Sequence, residues 1–314
     1  MTDSLLIILP DFLIILLGLL LARRFGYGRD FWKNAERLVF YVLFPPLLFT
    51  SIATSTISIA EAARFLSAGI GAMLTAVLIA HLVRHVVRDD PVTHASVFQC
   101  GFRFNTYIGF AVCLRLFGND GFALLALLIA FWVPISNAIA VSVLARAVAQ
   151  RDSTESQGAV LPTLRAVLTN PLIIATVLGL IVNLSGLKLP EAGMTLLKHL
   201  GSASLALGLL CIGAGLRRED FREHWKLISV STVNRLLVVP LVALGVATFA
   251  GLSSVEAGVM ILFAALPTAQ SCYVMTAAMR GNAAAVADVT TAQTLVSMLT
   301  LPVWITMILA GLAG

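Results

Sequence analysis

Long apolar stretches separated by short polar connections set the pattern of this chain. Stretches of about 20 residues, the length that crosses roughly 30 Å of hydrocarbon, are predicted as helices at about 4–22, 35–54, 62–83, 93–117 and 121–146. Five more are predicted at about 164–185, 191–216, 226–250, 255–279 and 283–312. Charges or Gly, Pro and Asn punctuate the ends of each. The fold class expected from this pattern is an all-α polytopic membrane protein of ten spans.

Two of the spans are interrupted by polar residues. The first interruption reads Cys100-Gly-Phe-Arg-Phe-Asn-Thr-Tyr-Ile-Gly109 and the second Ala265-Leu-Pro-Thr-Ala-Gln-Ser-Cys-Tyr273. A broken helix leaves N–H and C=O groups that lipid cannot satisfy, so such breaks persist where protein or a wet cavity lines them. Gly101 and Gly109 ease the departure from helical geometry in the first. In the second, Pro267 removes a donor, and Thr268, Gln270 and Ser271 can bond the freed backbone groups. Where the two breaks cross, half-helix N-termini converge and favour an anion, a carboxylate for instance.

The breaks occupy corresponding places in two halves. Pro10 to Gly18 resembles Pro171 to Gly179, Asn105 falls onto the Pro267-Thr268 region, and Gly118-Asn119 falls onto Gly281-Asn282. Each half has five spans, an odd number, so the second copy enters the membrane from the opposite side: an inverted repeat. The expected units are residues 1–147 and 164–314, joined by a linker at 148–163 that holds the polar run from Arg151 to Gly158. Paired breaks in an inverted repeat point to the substrate site of a transporter.

Composition agrees, with 59% hydrophobic and 12% charged residues and a mean hydropathy of +0.96. The net charge of +5 is mostly a topology signal. Basic residues cluster after the first span (Arg23, Arg24, Arg29, Lys33, Arg37), after the third (Arg84, Arg88), around the linker (Arg146, Arg151, Arg165) and after the seventh (Arg217, Arg218, Arg222, Lys226). The other connections carry Arg64, Arg115, Lys188 and Lys198. The positive-inside rule therefore places the odd-numbered loops in the cytoplasm and both termini outside. No folded extramembrane domain is predicted to present these charges to nucleic acid. The first span, followed rather than preceded by its basic cluster, is expected to stay in the mature protein.

Ionisable residues inside a bilayer cost at least about 2.5–3.5 kcal/mol on insertion scales, so each is kept for use or paired. Arg103 adjoins the first break, Arg235 lies in the eighth span, and Asp288 forms a polar stripe with Thr291 and Thr294 in the tenth. That stripe could bind Na⁺ or a proton, or Asp288 could pair with Arg235 or Arg103 as a structural bridge. The four cysteines, Cys100, Cys113, Cys211 and Cys272, all fall in apolar spans without metal-ligand spacing and read as packing residues. No metal or cofactor is expected.

These residues resemble the auxin efflux carrier family, which includes plant auxin carriers and bacterial transporters, some of them associated with malonate. The resemblance rests on Arg103 to Gly109, on Thr169-Asn-Pro-Leu-Ile173 with Gly179, on Ala265 to Tyr273, and on the tail from Thr291 to Pro302. It implies a fold like that of the bile-acid–sodium symporters, with broken helices four and nine crossed. It also implies a scaffold of spans one, two, six and seven that forms a homodimer, and a transport domain of the remaining spans that moves as an elevator. The plant carriers have an Asn-Pro-Asn-Thr-Tyr-like crossover. Here Asn105-Thr106-Tyr107 matches its end, while Arg103-Phe104 replaces the preceding Asn-Pro.

The added cation favours a small, strongly anionic substrate, such as a mono- or dicarboxylate, over indole-acetate. The expected function is secondary transport of an organic anion in a bacterial cytoplasmic (inner) membrane. Asn105, Thr106, Pro267 and Thr268 would hold the carboxylate, Tyr107, Gln270 and Ser271 would shape specificity, and Arg103 or Arg235 would add attraction. A cation/proton antiporter would call for adjacent acidic residues at a break, and none occurs there. A membrane enzyme or receptor is the alternative of another class, and the sequence lacks the clustered His and acidic residues that catalysis would use.

Overall fold

The computed structural model describes residues 2–55, 59–87, 89–152, 169–187, 189–217 and 221–313. The linker beyond Asp152, the start of the sixth predicted span, and the topology residues Arg88, Arg165, Lys188 and Arg218 lie outside them. All regular structure among the described residues is helical: α1 (Thr2–Arg24), α2 (Arg29–Leu38), α3 (Phe44–Ala53), α4 (Ile59–Val86), α5 (Pro91–Phe98) and α6 (Thr106–Asp152). Then come α7 (Pro171–Ser185), α8 (Glu191–Gly215), α9 (Trp225–Val233), α10 (Val239–Phe249), α11 (Ser254–Ala265), α12 (Ser271–Ala278) and α13 (Ala283–Ala313). Seven helical segments among the described residues are long and apolar enough to cross a membrane, and α7 and α11 are shorter apolar helices. The protein is an integral membrane protein with several spans.

Local sequence explains the ends. Asn170 caps α7 by accepting from Leu172 N at 2.9 Å with Pro171 at the first helical position, and α7 closes at Gly186 with φ +65°. Ser253 and Glu256 form a capping box at α11, and Arg64 reaches the same Glu256 carboxylate at 3.2 Å. Asp90 caps α5, accepting from Val92 N at 3.2 Å and Thr93 N at 2.7 Å. Burial raises its carboxyl, but the bonds from Thr93 and Val92 outweigh that and hold it below the usual range. Asp90→Ala is therefore expected to lower stability by about 1 kcal/mol in a thermal melt. The wild-type advantage is present at neutral pH and is lost as the pH falls through that lowered value.

Two helices widen by a π turn ahead of a proline. Val39–Leu43 precedes Pro45-Pro46 and Asn234–Val238 precedes Pro240. Pro240 has no N–H for the carbonyl of Leu236, and the Trp304 indole supplies one at 2.9 Å. The second predicted span thus begins at Arg29 rather than at 35, because the charged stretch Arg29–Leu38 continues the same helical run as a strongly amphipathic segment. In α6 the chain turns at Gly118, φ +63°, and Arg280 takes φ +58° between α12 and α13. Gly118 and Arg280 lie equally far beyond Asn105 and Pro267 in sequence.

Helix α1 packs on α8, α3 packs on α7 and α8, and α11 sits among α6, α10 and α13. The α1–α8 contact depends on glycine, because a Cβ on Gly18 would overlap the Leu210 carbonyl and one on Gly213 would overlap that of Ile15. In the N-terminal half of α1 the Asp11 carboxylate is buried against Arg115 of α6, whose Nη2 donates to it at 2.8 Å while Nη1 bonds the Ile7 carbonyl.

Candidate functional site

Two non-helical stretches meet inside the helix packing: Phe102–Asn105 between α5 and α6, and Leu266–Gln270 between α11 and α12. Asn105 N donates to the Pro267 carbonyl at 2.7 Å, tying one break directly to the other. Several other groups freed by the breaks find protein partners, as a membrane interior requires. Trp132 donates its indole N–H to the Phe102 carbonyl at 3.1 Å. The Cys100 carbonyl accepts from the Thr268 hydroxyl at 2.7 Å and from Gln293 Nε2 at 3.4 Å, while Thr268 N donates to Gln293 Oε1 at 3.0 Å.

Asn105 shapes the start of α6. Its side chain is buried, and Oδ1 accepts from Tyr107 N at 3.2 Å and Ile108 N at 3.3 Å, an N-cap that directs the first turn of α6 at the crossing. Helix α12 starts at Ser271, beside the same point. Arg103 bridges the two breaks, with Nη1 donating to Gln99 Oε1 at 2.7 Å and Nη2 to Ser271 Oγ at 3.1 Å. Gln99 is anchored in turn, its amide donating to Thr276 Oγ1 at 2.9 Å and to the Ser96 carbonyl. Its Nη1 also lies 3.7 Å from Met275 Sδ, so among the described residues the hydrogen-bond partners that hold the guanidinium of Arg103 are all neutral.

The crossing forms one wall of a cavity of about 1390 Å³. Arg103, Asn105, Thr106, Tyr107, Gln270 and Ser271 all line it. The same space is lined by Glu36 of α2, Phe40 of the π turn that follows it, Phe44 at the start of α3 and Cys211 near the end of α8. Exposed residues of the α1–α2 connection, Arg23, Tyr27 and Arg29 among them, also line it. Six basic side chains (Arg23, Arg29, Lys33, Arg37, Arg103, Arg217) and two acidic ones (Asp30, Glu36) line the whole space, so its field favours anions. The volume exceeds the roughly 300–1,000 Å³ of fitted ligand pockets, which marks an open vestibule with a polar floor.

Other predicted site residues lie off this surface. Pro267 and Thr268 do not line the cavity; they brace the crossing through the bonds given above. Arg235 is fully buried and donates from Nη2 to the Phe263 carbonyl near the end of α11 at 3.2 Å. Asp288 is likewise fully buried, and Thr291 exchanges bonds with the backbone of Arg217, accepting from its N at 3.1 Å and donating to its carbonyl at 2.6 Å.

Helix α8 carries glycines where the breaks approach it. A Cβ on Gly208 would lie 2.5 Å from the Tyr107 ring, and one on Gly215 would lie 3.3 Å from Gln270 Cδ. Tyr107 is held from the other side by Phe44, ring centroids 5.3 Å apart. Sequence reasoning did not single out Gln99, Gln293 or Glu36 for the site, and it counted Arg217 only as a topology charge. Arg217 in fact reaches the second break, its Nη1 donating to the Tyr273 hydroxyl at 2.8 Å. The one sequence signal for Gln99 was its spacing from Arg103, one helical turn away.

Comparison with known protein families matches residues 4–305 to the family described as membrane transport protein. Comparison with curated proteins gives no match.

Proposed function

The chain belongs to the membrane transport protein family, that of the auxin efflux carriers, and from this premise we propose that it is a secondary carrier of a small organic anion, a mono- or dicarboxylate such as malonate. The observation that carries the reading is Arg103. Among the described residues its hydrogen-bond partners are all neutral, and it sits at the floor of a predominantly basic cavity, beside the first turns of α6 and α12. A substrate carboxylate docks between the guanidinium and the α6 N-terminus that Asn105 caps, with Thr106, Gln270 and Ser271 around it. Tyr107 sets the width of the site.

The same reading organises the helices. The segment Pro91–Asp152 crosses the membrane twice, turning at Gly118. With α7 and the α11–α12 pair, ten crossings result, in halves 1–147 and 164–314. The matched left-handed residues at Gly118 and Arg280 support an inverted repeat. The packing of α1, α3, α7 and α8 on one another supports a scaffold built from spans one, two, six and seven, with the remaining helices carrying the crossing past it as an elevator. In the orientation given by the basic loops, in a bacterial inner membrane, the cavity faces the cytoplasm and the Asp11–Arg115 pair seals the outer side. Arg235 and Thr291 brace this arrangement, and a homodimer forms through the scaffold.

Counterflow of labelled malonate and indole-3-acetate in proteoliposomes tests the function. Malonate is expected to exchange. Arg103→Gln is expected to weaken its apparent affinity by about 10–100-fold, the equivalent of one hydrogen bond to a charged group, and Arg103→Lys to restore part of it. Exchange of indole-3-acetate alone would overturn the preference for a strongly anionic substrate. Malonate exchange indifferent to Arg103→Gln would remove that residue from the site.

A further inference from the structure

The wall of the cavity also contains a carboxyl that the anion site does not use. Glu36 lies on α2, half-buried, while Arg29, Asp30, Lys33 and Arg37 of the same helix are exposed at the rim. Helix α2 packs on α8, whose facing titratable group is Cys211; from α6 the facing group is Tyr107. Arg103 and Arg217 line the same space, but their side chains bond Gln99, Ser271 and Tyr273 instead. Among the described residues, no side chain or backbone N–H hydrogen-bonds or ion-pairs with the Glu36 carboxyl. Among the described residues, then, a carboxyl sits without a partner in a cavity whose other features attract anions.

We propose that Glu36 is the proton-binding group of this cavity: its carboxyl takes up a proton as an organic anion loads at the crossing and gives it back to the aqueous vestibule as the anion leaves. The proposal rests on reading the cavity as an organic-anion site. Two carboxylates sharing one poorly hydrated space repel each other, and neutralising one of them removes the repulsion. A proton from the aqueous mouth adds to the Glu36 carboxylate, giving one neutral carboxylic acid, and the same proton returns to the mouth on unloading. Proton uptake at Glu36 thereby favours loading of the anion without any acidic residue at the breaks themselves.

The linkage has a fixed sign. Glu36 holds its proton more tightly when the anion is bound, so affinity is highest at low pH. It then falls by up to about tenfold per pH unit as the pH rises through the range where the empty site has lost the proton and the loaded site keeps it. Calorimetry of malonate binding above about pH 7, where both malonate carboxyls are ionised, in buffers of different ionisation enthalpy counts the protons taken up. Wild type is expected to take up close to one proton per malonate, and Glu36→Gln none, with an affinity that no longer changes with pH. Malonate binding to wild type without proton uptake, or with the same uptake in Glu36→Gln, overturns the proposal.

Failure of both malonate and indole-3-acetate to bind would instead count against the small-anion reading of the site. Glu36 is then judged on the protein alone by infrared difference spectra between about pH 6 and about pH 9. A protonated-carboxyl band that Glu36→Gln removes supports the proton site; spectra identical in the two proteins overturn it.

Discussion

Asn105→Ala is expected to reduce anion counterflow by about two orders of magnitude while leaving the protein folded. The side chain caps the first turn of α6 through Tyr107 N and Ile108 N, and its backbone N–H ties that turn to Pro267. Loss of a cap costs only about 1 kcal/mol of stability, small beside the packing of the surrounding helices. The functional cost is larger because the cap fixes where the N-terminal donors of α6 point, and displacement of positioning groups by about 1 Å can cost about a hundredfold.

Two further variants separate positioning from charge. Asn105→Ser keeps a capping oxygen and is expected to retain part of the activity. Asn105→Asp also keeps the cap, but it places a negative charge where the substrate carboxylate docks and is expected to be as inactive as the alanine variant. Counterflow by Asn105→Asp equal to that of Asn105→Ser would show that no anion binds at this point.

The second large effect is on stability. Gly213→Ala is expected to destabilise the protein by at least about 3 kcal/mol, which lowers the thermal midpoint in detergent by on the order of 5–10 °C. Its new methyl would overlap the Ile15 carbonyl of α1, and backbone cannot swing aside as a side chain end can. The reciprocal contact, Gly18 against the Leu210 carbonyl, leaves the α1–α8 pair no room to shift. Such close approach of small residues is how helices associate where lipid offers no hydrophobic gain on packing. Gly245→Ala in α10 is the control: a Cβ there meets nothing within 4 Å, and the midpoint should hold or rise slightly through the better helix propensity of alanine. Equal melting of the two variants would mean that α1 and α8 are not in this contact.

The sequence by itself determined the class of the protein and the location of its breaks. Runs of apolar residues long enough to span hydrocarbon admit little besides membrane helices, since the backbone must satisfy itself there. Polar clusters around Asn105 and Pro267 were visible because lipid-facing helices have no use for them. The paired landmarks of the two halves were visible too, because they are local in sequence. Residues that sit within the breaks and face the cavity, Arg103, Asn105, Thr106, Tyr107, Gln270 and Ser271, were therefore legible in advance.

Only the tertiary structure decided which polar groups look inward to brace and which look into the cavity. Thr268 and Gln270 are two residues apart and equally polar, yet Thr268 turns to Cys100 and Gln293 while Gln270 lines the cavity beside Gly215. Glu36 carried no reading from the sequence, and only the packing of α2 on α8 placed it on the wall of the cavity that the crossing also lines. The glycines of α8 acquired partners only when α1 and the two breaks were brought against them. The physical reason is the same in each case. Hydropathy fixes whether a segment lies in the membrane, whereas the direction in which a side chain points depends on helix rotation and on neighbours distant in sequence, which local periodicity does not encode.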